Sequence, residues 1–284
     1  MRMRLLDEVK SSTDNVIKFI FEGKDKIPLE VSSIYKGDGK DIYVIPTQTS
    51  CNMGCTFCHL TGLNIPVINL SADEMFYLTT SIPAYRILNT NNLLISYMGA
   101  GEPLLNIDNV IRSARHIQDL YSDGFIKVRF AVSTLIPNKK SFVKFTDNIK
   151  EYNLPFKIHW SLHSINHSSR KSLMPNALHV SSAIDLVNNY VDNTNNPVEI
   201  HYTLIDGIND QLVDVENISK LINKKIVIKL LKFAPRSCKP YTESSNTLEF
   251  KKQLESNGFV VEIYSPPGRD IGSSCGQFIL DKYI

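Results

Sequence analysis

After residue 40, short β-branched or aromatic runs alternate with longer segments of helical period, and this alternation constrains the fold more than any other feature. Strands are expected at Ile42–Thr47, Leu93–Met98, Lys127–Ser133, Lys157–Leu162, Val198–Leu204, Ile226–Phe233 and Val260–Tyr264. Helices are expected between them at Ala72–Asn89, Asp108–Tyr121, Ser141–Tyr152, Val180–Val191, Leu212–Ile222 and Thr247–Asn257. Ser71 with Glu74 and Asn246 with Glu249 fit capping boxes, and Asp210 stands in N-cap position before another helix. Pro83 should kink or split the first helix. Strands alternating with helices of this length imply an α/β fold built on a parallel sheet. Six or more such units favour a barrel or partial barrel, whose active-site residues gather at the C-terminal ends of the strands. Polar clusters fall at those ends: Gly99–Glu102, Ser133–Thr134, Ser161–His163, Asp206–Asn209 and Pro235–Cys238.

Residues 1–40 read differently. Val16–Phe21 and Leu29–Ile34 form a candidate two-stranded hairpin, so the expected organisation is a small extension over 1–40 and a barrel over 41–284. The 284 residues approach the size at which one core stops growing, and 43% hydrophobic content excludes global disorder. With a net charge of +2, any nucleic-acid contact must come from a local patch. Arg112, Arg115, Lys127, Arg129, Lys139, Lys140, Arg170 and Lys171 are the candidates. No run approaches the ~18 apolar residues of a membrane span, and Met1–Lys10 lacks the apolar run of a secretory signal. A soluble, cytoplasmic protein is expected.

Cys51, Cys55 and Cys58 are spaced C-x3-C-x2-C in the loop after the first barrel strand. Thiols this close bind metal or oxidise, and a disulfide is disfavoured in a cytoplasmic chain. One reading is a structural zinc with His59 as fourth ligand, although zinc modules usually present two separated ligand pairs. The other is a [4Fe–4S] cluster on three thiolates, which leaves one iron open to chelate the amino and carboxylate groups of S-adenosylmethionine (SAM). The spacing, with Phe57 just before the last cysteine, resembles the radical-SAM superfamily. Gly99-Ala100-Gly101-Glu102-Pro103 after a strand is similar to that superfamily's glycine-and-acid motif, in which glycine permits close approach and Glu102 accepts a hydrogen bond from a ligand ammonium.

The resemblance narrows with Gln48-Thr49-Ser50-Cys51, Met98 through Asn106, Ser161-Leu162-His163, Leu204 through Asp210, and Cys275-Gly276-Gln277. In that order they resemble the radical-SAM RNA adenine methyltransferases of the RlmN/Cfr type, from about Ser12 to about Leu280. The resemblance implies a radical-SAM partial (β/α) barrel that methylates C2 or C8 of adenosine in rRNA or tRNA. It implies that Cys51, Cys55 and Cys58 hold the cluster and that Gly101, Glu102, Ser133, Ser161, Leu162 and His163 line the SAM pocket. Cys275 would carry a methyl group from one SAM to a radical made with a second, and Glu30 matches an acidic position used as proton acceptor. A flavodoxin or ferredoxin would supply electrons. Three departures stand against the family pattern. Val44 replaces a cysteine seven residues before the cluster, Ala234 replaces an Asn that contacts the cofactor, and a helical N-terminal domain of about 100 residues is not matched. Cys238 is a candidate surrogate for the missing thiol. Two further expectations therefore stand beside the methylase: a deoxyadenosyl-radical enzyme acting on another nucleotide or a small molecule, and a non-catalytic zinc module.

Overall fold

The computed structural model describes residues 3–37, 39–84, 91–194, 196–234, 240–273 and 276–284. Cys238 and Cys275, like Asn89 at the expected end of the first helix, lie outside the described residues. Ten strands form a single sheet in chain order: β1 (Arg4–Lys10), β2 (Val16–Glu22), β3 (Pro28–Tyr35), β4 (Asp41–Val44), β5 (Asn92–Tyr97), β6 (Lys127–Thr134), β7 (Phe156–Ser161), β8 (Val198–Leu204), β9 (Val227–Lys232) and β10 (Val261–Tyr264). β1 to β4 pair antiparallel, and every pairing from β4 to β10 is parallel. All seven expected barrel strands are present, and the N-terminal hairpin continues the same sheet. The hairpin is flanked by β1, which the sequence did not disclose. Among the described residues β1 bonds only β2 and β10 only β9, so the barrel stays open.

The helices are α1 (Ala72–Ser81), α2 (Ile107–Leu120), α3 (Lys139–Glu151), α4 (His167–Leu173), α5 (Val180–Asn193), α6 (Leu212–Leu221) and α7 (Thr247–Ser256). The Ser71–Glu74 capping box forms, and Pro83 converts the end of α1 into a 3₁₀ turn. Two expected caps do not form. Gln211, not Asp210, precedes α6, because Asp210 instead accepts from Gly207 N, Ser244 Oγ and Asn246 Nδ2. That last bond draws the Asn246 side chain away from α7, which starts without a side-chain cap.

The strand faces divide the protein into two polar regimes. The outward faces bury Ile95, Tyr97, Phe130, Phe156, Ile158, Trp160, Ile200 and Ile228 beneath the helices. Phe156 packs at ring-centroid distances of 6.0, 5.2 and 5.3 Å from Tyr97, Phe130 and Phe145. The alternate residues point into the lumen, and they are largely polar: Ser96, Ser133, Lys157, His159, Ser161, Glu199, His201 and Lys229.

Candidate active site

The lumen holds a cavity of about 610 Å³. It is lined at one end by Cys51, Cys55, Cys58, Gly101, Glu102, Ser133, Ser161 and His163. The cysteine loop leaves the C-terminal end of β4 and is clamped by the motif after β5. Thr47 N and Gln48 N both donate to Ala100 O (2.8 and 3.1 Å), and Glu102 N donates to Gln48 Oε1 (2.9 Å). Asn106 Nδ2 donates to Thr47 O and Leu70 O, each at 2.8 Å. Glycine is required here: Gly101 has φ +106°, and a Cβ on it would stand 2.7 Å from Thr47 Oγ1. At Gly99 a Cβ would fall 2.7 Å from Pro46 N.

Glu102 is buried and accepts from Leu104 N (2.9 Å) and Leu135 N (3.2 Å). Burial pushes its carboxyl up to about 7, against the pull of those N–H groups. Ser133 Oγ and Ser161 Oγ are 3.4 Å apart at the ends of neighbouring strands. His163 has φ +50° and receives the Thr203 N–H on Nδ1 at 3.0 Å, so its proton resides on Nε2. Burial, with nearby His201 and Arg170, brings its pKa to about 3, and the ring is neutral. Asn209 Nδ2 donates to the His163 and Thr203 carbonyls, which gives the Asp206–Asn209 turn its positioning role.

Leu162 stands apart from the other expected pocket residues. Its side chain is fully buried in the core outside the barrel and does not line the cavity. Its carbonyl instead accepts from Arg170 Nε at 3.1 Å. Arg170 likewise leaves the proposed basic surface: it is 2% exposed and also donates to Leu178 O (2.7 Å) and Leu135 O (2.9 Å). The remaining basic candidates are dispersed over several elements: Arg112 and Arg115 in α2, Lys127 and Arg129 at the start of β6, Lys139 and Lys140 at the start of α3, and Lys171 in α4.

Glu30 is buried and lines the cavity, paired with Lys18 of β2 and accepting from Ile279 N at 2.9 Å. Lys18 also donates to Gly272 O at 2.7 Å. A lysine in an apolar strand gave no hint of this role; its signal is that it alternates inward between Ile17 and Phe19. Sequence reasoning also missed His159, Glu199 and His201.

The donor set discriminates between zinc and a cluster. His59 Nδ1 lies 2.8 Å from Phe278 O, Nε2 faces Asp281 at 3.7 Å, and the ring does not line the cavity. It is unsuited as a fourth zinc ligand. Burial pushes the Cys51 thiol up to about 12, with Glu102 and Cys58 acting in the same direction, so a thiolate there needs a cation to neutralise it. Three cysteines on one cavity wall, with no fourth ligand from His59, fit the three-thiolate donor set of an iron–sulfur cluster.

Among solved structures, a radical SAM methyltransferase from Sphaerobacter thermophilus is similar at TM-score 0.82 and 25% identity, covering 98% of this chain and 81% of that one. The anSMEcpe structure with bound AdoMet shares the fold at TM-score 0.54 and 13% identity, over 78% of this chain and 63% of that one. No protein-family model matches. The probable dual-specificity RNA methyltransferase RlmN of Thermotoga sp. (strain RQ2) is 31% identical over 287 residues, 99% of this chain and 80% of that protein. The dual-specificity RNA methyltransferase RlmN of Campylobacter lari is 30% identical over 94% of this chain and 79% of its own length. Identity at this level over nearly the whole chain, on a barrel that brings the three cysteines to the glycine-and-acid motif, places the chain in the RlmN family of dual-specificity RNA methyltransferases.

Proposed function

We propose that this radical-SAM RNA methyltransferase methylates an adenosine carbon, C2 or C8, through a methyl group carried on Cys275. The observation that carries the reading is the convergence of the cysteine loop, Glu102 and the segment around Cys275 on one cavity: Ser273 and Gly276, the described residues on either side of it, both line that cavity. A Cβ at Gly276 would stand 3.3 Å from Cys58 Cα, so the backbone after Cys275 runs against the cysteine loop.

Cys51, Cys55 and Cys58 would hold a [4Fe–4S] cluster, which when reduced supplies the electron for homolytic cleavage of the SAM sulfonium. Glu102 is placed to accept from the amino group of SAM, and the Ser133 and Ser161 hydroxyls and the His163 Nε2–H add polar partners on the facing strands. In the first half-reaction the Cys275 thiol loses its proton, its sulfur takes the methyl group, and S-adenosylhomocysteine leaves. Glu30, which lines the cavity, would take the proton that the adenine ring loses later, with Lys18 paired beside it. Adenosine in rRNA or tRNA is the substrate, and a flavodoxin or ferredoxin is the electron source. No helix among the described residues is long and apolar enough to cross a membrane.

A second reading rests on Val44. It ends β4 and lines the cavity at the position where the family pattern has its second cysteine, so this wall presents a valine where a thiol would resolve the covalent RNA adduct. Radical chemistry on another nucleotide or a small molecule would not need that thiol. Intact-mass measurement after incubation with SAM separates the two. A methyl group on Cys275, and loss of RNA methylation with retention of 5′-deoxyadenosine formation in Cys275→Ala, are expected. An unmethylated Cys275 together with an active Cys275→Ala enzyme would refute the methyl-cysteine route.

A further inference from the structure

At the other end of the cavity is a group of donors that the methylation chemistry does not use. His159 on β7 pairs in register with Glu199 on β8, and His201 follows Glu199 by two residues on the same inward face. One nitrogen from each imidazole and one Glu199 oxygen lie within 4.8 Å of one another. His159 Nε2 is 3.4 Å and His201 Nε2 3.9 Å from Glu199 Oε2, close to the ~3.3 Å edge between ligands on one tetrahedral zinc. All three residues are more than nine-tenths buried, and His201 Nε2, which faces Glu199 Oε2 at 3.9 Å, makes no hydrogen bond at normal distance. Buried imidazole nitrogens are seldom left so. Counting two residues of strand from Ser161 back to His159, the group sits roughly 7 Å along the barrel from the SAM end.

We propose that His159, Glu199 and His201 form a second metal site, separate from the cysteines, that binds one first-row divalent ion of the zinc class. Two imidazoles and a carboxylate are the ligand set such ions prefer, and all three residues line the cavity. The place is already a cation's place: Lys229 Nζ stands 3.0 Å from Glu199 Oε2. Lys229 has a second carboxylate available, Glu262 Oε2 at 3.4 Å, and turns to it when the ion arrives. Lys157 pairs with the other oxygen, Glu199 Oε1, and stays. The two ammonium groups oppose a divalent ion, so affinity is limited by Lys229 in particular. The ligands sit on two adjacent strands, so a bound ion ties β7 to β8 beneath the SAM pocket.

The test is metal analysis of the full-length, anaerobically cluster-loaded protein dialysed against zinc, with iron per chain measured in the same sample. The expected result is one zinc per chain at unchanged iron. His201→Phe and His159→Gln should each lose that zinc while keeping their iron, and Lys229→Met should bind it roughly tenfold tighter by removing the competing ammonium. The proposal is overturned if the wild type takes up no zinc at full iron. It is also overturned if zinc enters only as iron is lost, which puts it on the cysteines, or if both histidine variants bind zinc like the wild type. Lys229→Met binding no tighter than the wild type would remove the assigned position of the ion.

Discussion

Replacing Arg170 with Met keeps an apolar stem of similar length and removes the guanidinium. Three carbonyls, those of Leu135, Leu162 and Leu178, then lose a charged donor at 3.1 Å or less, and the Ser161 carbonyl loses a long contact at 3.5 Å. At about 1.5–3 kcal/mol for each hydrogen bond to a charged group, the loss is roughly 5–9 kcal/mol. Relief opposes it: Arg170 is buried with no carboxylate in salt-bridge range among the described residues, and burial holds its pKa down to about 10. Against the ordinary 12.5, that corresponds to about 3 kcal/mol regained when the charge is removed. The hydrogen bonds win, leaving a net destabilisation of about 2–6 kcal/mol, or on the order of 3–10 °C in Tm for a chain of this size. The effect should reach SAM, because the Leu135 peptide is held from both sides, its N–H by Glu102 and its C=O by Arg170. Calorimetric scans of the cluster-loaded enzyme and a SAM titration read both quantities. Arg170→Lys, which reaches one carbonyl at a time, should fall between the wild type and Arg170→Met. An Arg170→Met protein with wild-type Tm and SAM affinity would refute the balance, since it would show that solvent or relaxation satisfies the three carbonyls.

Gly101→Ala should lower SAM binding and iron content together, since its Cβ would enter Thr47 Oγ1 and Gln48 Cβ at 2.7 and 2.8 Å at a φ that alanine disfavours; normal iron and SAM affinity would show that the loop simply moves aside. Glu102 has a folded pKa of about 7, above its ordinary 4.5, so the native state holds a proton that the unfolded chain has lost, and its contribution to stability is lost as pH rises from about 4.5 to about 7. In SAM-free protein the wild-type stability should therefore fall relative to Glu102→Gln across that window, by at most about 3 kcal/mol, and equal pH profiles would discount the burial. Lys18→Met leaves Glu30 charged and buried without its partner and should cost about 3–5 kcal/mol in thermal unfolding, whereas Lys18→Met with Glu30→Leu should recover part of it; a double variant no more stable than the single would refute the unpaired-charge account.

The barrel was legible because its strands carry β-branched and aromatic runs bounded by turns, and each expected strand appears within a few residues of its position. β1 was not, because Arg4–Lys10 is an edge strand with most of its residues at least partly exposed and no clean apolar alternation. α4 was missed because seven mostly polar residues carry no helical apolar stripe; its buried members are Leu173 and an arginine. The cysteine loop, Glu102 and the serines at the strand ends were readable from spacing. Leu162 differs from its neighbours because β7 ends at Ser161 and the chain turns there, so the Leu162 side chain enters the apolar core while Ser161 and His163 line the cavity. His159, Glu199, His201 and Lys229 escaped notice because a strand alternating ionisable and apolar residues looks the same whether its polar face meets solvent or a closed lumen.

The open barrel gives the C-terminal segment its importance. Among the described residues β10 and β1 do not pair, and residues 268–273 and 276–283 make their bonds to separate parts of the chain. Gly272 O is held by Lys18 on β2, Gly276 O by His59 N at 2.7 Å, and Gln277 Nε2 donates to Ala234 O at 2.6 Å beyond β9. Phe278 O meets His59 Nδ1, and Ile279 N meets Glu30 on β3. The stretch that includes Cys275 thus begins and ends on anchored residues, one set on the hairpin and the other on the cysteine loop. The buried Lys18–Glu30 pair belongs to both, since Lys18 holds the upstream anchor and Glu30 the downstream one. Lys18 on β2 and Glu30 on β3 thus each contribute one buried charge, and the pair ties the described residues before and after Cys275 to the hairpin.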